Sequence, residues 1–223
     1  MRLVRAEARG QAADVSFFSF GGPNLPEPEE EREPYRRRPP LHGPSPDEVG
    51  RPVPASFVLA RSDSVAVTVQ AIRAYSTGCL FEIGWALRRT TETAAQWREA
   101  HEIAFRHGPR GHEDDGLLLG VVLSDGRSAR TNDRYDRRDP GPGPRLVDTG
   151  SSGGGGGTER IHGTADRWLH PLPPAPTMEL ICAWPALGLE ESRRTVDTTS
   201  LLEAASSAHL IWPDDADLPG PED

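Results

Sequence analysis

The side chains of this 223-residue chain that could do chemistry fall in four places. Gly150-Ser151-Ser152-Gly153-Gly154 matches the GxSxG nucleophile elbow, in which a strained strand-to-helix turn lifts a serine hydroxyl towards a histidine. More glycine follows where the helix should begin, so chance within a Ser/Gly stretch is the better account. His101, His107 and His112, with Glu113, Asp114 and Asp115, are the densest set of metal-ligand types. A metal site needs donors converging to ~2 Å with ordered support behind them. His101 falls on an expected helix and the rest beyond its stop, so a solvated loop without metal is expected. His162, Asp166 and His170 step by four residues, which sets all three on one face of an extended strand. An exposed strand face explains them without catalysis; they are the first suspects only if the chain is a hydrolase.

The fourth place is aromatic. Trp85, Trp168, Trp184 and Trp212 could form a platform for a sugar or a peptide. Packing is the default for the three that alternate with core residues. Trp168 stands apart, because His170, Pro171, Pro173 and Pro174 follow it. Prolines leave carbonyls unpaired and lose little entropy on binding, which makes Trp168, His170, Pro171, Pro173 and Pro174 a candidate docking edge for a protein partner. A proline-guarded edge strand accounts for the same residues and carries more weight.

Composition removes several classes. All 25 cationic side chains are arginine. Without lysine there is no P-loop, no Schiff-base or pyridoxal-phosphate chemistry and no kinase strand lysine. A net charge of −9 argues against a general nucleic-acid partner, since neutralising phosphates requires a positive surface. Cys79 and Cys182 each lie on an alternating apolar stretch, where cysteine packs as a small hydrophobe, and no Cys/His zinc spacing exists. No apolar run approaches the ~20 residues needed to span a bilayer, and the N-terminus lacks a signal peptide's apolar stretch. A cytoplasmic protein with free thiols, no cofactor and no membrane partner is expected.

The elements that would have to position any site are mostly strands. Gly21 to Pro54 holds ten of the 22 prolines among dense charges, so residues 1–52 are expected to be a disordered arm, with order beginning near Val53. In CLFEIGWALRR, residues Cys79, Phe81, Ile83, Trp85 and Leu87 alternate as a half-buried strand, and Ser76-Thr77-Gly78 suits a hairpin ending on a left-handed glycine. Thr93-x-x-Gln96 fits a capping box, with Gly108-Pro109 as a helix stop. Asp125-Gly126 suits a type I′ turn. Residues 133–158 are expected to be a flexible Gly/Pro loop. Met178, Leu180, Cys182 and Trp184 alternate again, Ser200-x-x-Glu203 fits a second capping box, LIWP reads as a last strand, and residues 214–223 are an acidic tail. Short strands, one or two short helices and Gly/Pro turns predict a mainly β chain: one β-sandwich of Ig-like outline over residues 53–213.

The series PDEVG, RAYSTG, GLLLGVVLSDGR, the glycine run, WLHPLPP and WPALGLEESRR resembles a family of uncharacterised proteins from high-GC bacteria. The resemblance covers Pro46 to Pro213 and implies that residues 1–40 and Thr91–Asp115 are the variable parts; it implies no activity, cofactor or partner. The expected function is a non-enzymatic interaction or scaffold module. A small-ligand or carbohydrate-binding sandwich and a hydrolase whose residues converge only in the fold are the alternatives.

Overall fold

A computed structural model of the chain describes residues 40–105, 116–131, 133 and 143–212. In chain order the elements are β1 (Glu48–Val49), β2 (Arg51–Val53), β3 (Phe57–Arg61), β4 (Val65–Ala74), β5 (Cys79–Arg88), α1 (Ala94–Phe105), β6 (Leu118–Leu123), β7 (Ser128–Arg130), β8 (Arg145–Gly156), β9 (Arg160–His170), β10 (Thr177–Trp184), β11 (Leu189–Asp197), α2 (Thr199–Ser206) and β12 (His209–Leu210). The larger sheet runs β2-β4-β5-β9-β8, with β3 also paired to β4; the smaller runs β11-β10-β6-β7, and β1 with β12 makes a two-stranded ribbon. The chain is mainly β and sandwich-like, as expected.

Alternation builds the core. Cys79, Phe81, Ile83, Trp85 and Leu87 of β5 point inward, as do Met178, Leu180, Cys182 and Trp184 of β10. The rings of Trp85 and Trp184 meet edge to face at 5.8 Å, a preferred aromatic geometry, and join the two sheets. Phe105 meets Trp85 the same way at 5.3 Å and fastens α1 to the sandwich. At the start of α1 the expected capping box forms reciprocally. The Gln96 carbonyl oxygen accepts from Thr93 N–H at 2.9 Å, and Thr93 Oγ1 accepts from Gln96 N–H at 3.3 Å. The expected stop at Gly108-Pro109 lies outside the described residues.

The turns correct three expectations. Tyr75 N–H donates to the Gly78 carbonyl at 2.9 Å, closing the expected hairpin, yet Gly78 is not left-handed. It is glycine for space: a Cβ there would press into the Leu169 carbonyl and the Trp168 ring. In the β6–β7 hairpin Gly126 alone takes a positive φ of 86°, with its N–H on Leu123 carbonyl at 2.9 Å. A type I′ turn needs two positive φ values, so this is a longer turn ending on one left-handed glycine. α2 begins at Thr199, two residues before the Leu201 start that the box at Ser200 predicts, and its first N–H is taken by Asp197 Oδ1 at 2.8 Å. Ser200 is already inside the helix, so the Ser200/Glu203 box does not form. The last strand is His209–Leu210, and Ile211 and Trp212 beyond it are exposed.

Two larger departures matter for function. Within the stretch expected to be a loop, Arg145–Gly156 is strand β8, paired to β9 from Arg145↔His170 to Gly156↔Ile161 with two bulges. Glycine shows no side-chain alternation to read, and here the pairing partner supplies the order. Residues 40–52, expected to belong to the arm, are also placed, and β1 pairs with β12 across the length of the domain sequence. The rest of the arm and the acidic tail lie outside the described residues.

Candidate functional site

The outer face of the larger sheet, turned away from the core, collects the chemistry-bearing side chains. On β9 the residues His162, Thr164, Asp166, Trp168 and His170 share that face, opposite inward-facing Ile161, Ala165 and Leu169. Its two ends differ.

At the end near the β4–β5 turn the face is closed. Trp168 is 0% exposed. Its Nε1–H donates to the Pro40 carbonyl at 2.6 Å, and its ring meets Tyr75 edge to face at 5.5 Å. Residues 40–50 thus form a strap over this end. Glu48 accepts from Ser76 N–H at 2.6 Å and from the Ser76 hydroxyl at 2.9 Å, while Gly50 lies so close to the Tyr75 ring that a Cβ would overlap it. His170 is half-buried with Nδ1 2.9 Å from the Thr77 carbonyl; burial depresses its pKa, with Arg145 adding to the effect and the Thr77 contact opposing it. The proline segment is tied down as well. Pro173 is buried, Thr198 donates its hydroxyl to Pro174 carbonyl at 2.9 Å and its N–H to Pro176 carbonyl at 3.0 Å, and the Ser124 hydroxyl donates to Ala175 carbonyl at 3.0 Å. The expected docking edge of Trp168, His170, Pro171, Pro173 and Pro174 therefore faces this chain's own segments. The sequence could not show this, because the cover comes from Pro40, 128 residues away.

Trp85 and Trp184 are buried too, and the exposed tryptophan is Trp212, at 64%. No aromatic platform forms among the four. His162, Asp166 and His170 do share a face, but four-residue steps at ~3.3 Å per residue set neighbours ~13 Å apart, too far to share a proton or a metal. Gly150–Gly154 lies within β8 and not at a strand-to-helix turn. His101 meets the Phe105 ring at 4.6 Å with the planes tilted by 41°, while His107, His112, Glu113, Asp114 and Asp115 fall outside the described residues. Among the described residues no group of three potential ligands is placed to hold a metal.

The other end is open. A cleft of about 640 Å³ is lined by Arg61, Ser62, Asp63, Ser64, Ala66, Ala86, Arg88, Arg160 and His162, with apolar Val65, Leu87 and Ile161 beneath. Strand register builds it. Arg61 pairs with Ala66, Ala66 with Ala86, and Ala86 with His162, so one row across four strands reads cation, two methyl groups, imidazole. In the next row Arg88 and Arg160 stand directly opposite each other. The two alanines make a floor, and the three arginines and the histidine, all exposed, make the rim. Arg88 donates Nε–H to the Asp63 carbonyl, which fixes the guanidinium plane and leaves its terminal nitrogens available. Arg61 and Arg160 meet no carboxylate within ion-pair distance among the described residues. Neighbouring Glu159 is engaged by Arg89 at 3.8 Å. The arginines sit at residues 61, 88 and 160, so no local motif announces them. Only the β3-β4-β5-β9 register brings them together.

Both thiols are free and buried, Cys182 with its pKa pushed up to about 12 by burial and Cys79 higher still. Neither is a nucleophile at neutral pH. No protein-family model matches the chain, and no curated protein matches it.

Proposed function

We propose that this protein is a non-enzymatic, cytoplasmic binding module, a rigid sandwich that presents the Arg61–Arg160 end of its larger sheet to a ligand or partner. One observation carries this: an open cleft of about 640 Å³, in the range of small-molecule sites, with an alanine floor and, on its rim, guanidinium groups that meet no carboxylate among the described residues. The Trp168 end of the same sheet face is spent on internal contacts. Separation of His162, Asp166 and His170 along one strand removes the acid–base set a hydrolase would need from these residues, and burial of Trp85, Trp168 and Trp184 removes the stacking platform a sugar would use. Free, buried Cys79 and Cys182 fit a reducing compartment, which supports the cytoplasmic assignment.

The test is to fill the floor. Ala86 is exposed, so Ala86→Trp leaves the core alone while occupying the cleft. Screening the unmodified protein and this variant against metabolite and glycan panels by thermal shift should yield ligands bound by the first and not by the second. A ligand set shared equally by both proteins would place the binding surface elsewhere.

A further inference from the structure

We infer that the cleft is an anion site for a small phosphorylated ligand, its phosphoryl group held between Arg88 and Arg160 and its body lying on Ala66 and Ala86. This rests on the cleft being the binding surface and names the chemistry it recognises.

Charge placement comes first. The chain carries −9 overall, yet the cleft lining holds three arginines and a single carboxylate, Asp63. Arg88 and Arg160 are the terminal pair of the β5–β9 ladder, directly opposite on adjacent antiparallel strands. Side chains in that relation start ~5 Å apart, and like charges there repel. Neither is relieved by a carboxylate among the described residues, although the chain has 34 acidic side chains. Glu159 sits beside Arg160 in sequence and is bonded instead to Arg89.

Geometry then selects the anion. Two guanidinium groups on directly opposite residues can turn paired N–H donors onto one anion, and Arg61 lies across the alanine floor in the neighbouring row. A planar monoanionic carboxylate satisfies one guanidinium fork. A tetrahedral phosphoryl dianion has oxygens for both and charge to offset both. His162 adds a ring N–H at the far side of the floor, and Asp63, the one carboxylate of the lining, disfavours a second anion beside it. Three arginines are too few for a polyanion that must be tracked over many phosphates, which keeps the ligand small.

The experiment uses the full chain at low ionic strength, with inorganic pyrophosphate, phosphoserine, malonate and a neutral oligosaccharide as probes. It compares the unmodified protein, the double variant Arg88→Gln/Arg160→Gln, and Ala86→Trp. Pyrophosphate and phosphoserine should raise the melting temperature by roughly 5–11 °C at about a hundredfold excess over the dissociation constant. The rise should shrink with added salt and vanish in both variants. Without ligand the double variant should melt at or above the unmodified protein, since a repulsive pair has been removed, so a lost response cannot be put down to unfolding. No shift with either phosphate probe, a shift equal for malonate, or one that survives Arg88→Gln/Arg160→Gln would overturn the anion assignment. Oligosaccharide binding abolished by Ala86→Trp but indifferent to the arginines would overturn it while leaving the cleft as the binding surface. Binding of any probe unaffected by Ala86→Trp would overturn both.

Discussion

Strands β4, β5 and β9 run the length of the larger sheet's outer face, and the two ends of that face have opposite fates. At one end Trp168 and Tyr75 meet edge to face, the strap of residues 40–50 lies over them, and the indole N–H and the Ser76 N–H find partners in the strap. At the other end the corresponding outward positions hold Ala66, Ala86, Arg88 and Arg160, and nothing among the described residues covers them. The inward faces of the same strands are apolar except at Arg167 of β9, which is buried and ion-paired with Asp148 at 2.9 Å. Large aromatics on an outward face create apolar area that the fold must cover, and the chain supplies the cover. Small residues ringed by arginine create a surface that water tolerates, and it stays open.

The largest test of that contrast is Trp168→Ala. A large side chain with no exposed surface leaves a cavity, so the variant should lose roughly 3–5 kcal/mol in urea unfolding, much as Trp184→Ala should. A loss below ~1.5 kcal/mol, typical of surface positions, would mean that the strap does not close this end in solution.

How far the sequence discloses this arrangement depends on what each residue has to be read against. The β4–β5 hairpin, the strand alternation at Cys79–Leu87 and Met178–Trp184, and the Thr93/Gln96 cap are local, and their side chains state their own roles. Strand β8 is not legible, because five glycines carry no alternation and its order comes from pairing with β9. Trp168 is misjudged for a different reason. Its outward position and proline neighbours read as an exposed edge, while its cover comes from Pro40, a residue that belongs by composition to a proline-rich arm. The open cleft is hidden most thoroughly, since Arg61, Arg88 and Arg160 become neighbours only through the register of four strands. Residues that do chemistry at a distance in sequence need the ladder before they can be seen.

Gly78→Ala should come next in size. Backbone conformation permits alanine, but the new methyl would drive into the Leu169 carbonyl and the Trp168 ring, neither of which can move without opening the closed end. A cost of about 1–3 kcal/mol is expected by chemical denaturation. The strap itself can be isolated by comparing deletion of residues 1–39 with deletion of residues 1–46. The difference removes the Pro40–Trp168 bond and the cover over the indole, and should be on the order of 1–2 kcal/mol, ~2–8 °C in melting temperature, with a red shift in tryptophan fluorescence. Equal melting for the two deletions would show that Trp168 is buried by the sheet alone.

A smaller effect should appear with pH. Burial holds the His170 pKa below its usual 6.5, so the folded state favours neutral imidazole while the unfolded chain takes a proton as pH falls below about 6.5. The group's contribution is therefore complete above that value and is lost as pH drops through the depressed folded pKa. Urea midpoints measured from about pH 7.5 to about pH 5 should fall more steeply for the unmodified protein than for His170→Gln. Identical slopes would mean that the imidazole is freely hydrated and this end is not closed around it.

The smallest expected effect is also the cleanest control, because it repeats the glycine substitution towards the open half of the same face. Gly84 lies on β5 and, like Gly78, has no positive φ, so alanine is conformationally allowed at both. Its added methyl would meet the Gln70 side-chain amide and the Thr68 hydroxyl. Gln70 is exposed and can swing into solvent, and the Thr68 hydroxyl, which donates to the Gly84 carbonyl at 3.2 Å, can turn away at the loss of one partly exposed hydrogen bond. Against that small cost stands a gain of ~0.4–1 kcal/mol from the reduced freedom of the unfolded chain when glycine becomes alanine. Gly84→Ala should therefore change stability by less than about 1 kcal/mol, in either direction, while Gly78→Ala clearly destabilises. The two variants differ in what stands in the way of a single methyl group: a backbone carbonyl and a clamped indole at one position, the free end of a glutamine at the other. If Gly84→Ala proves as costly as Gly78→Ala, Gln70 is held in place by something beyond the contacts seen here, and the open half of the face is more rigidly built than its exposure suggests.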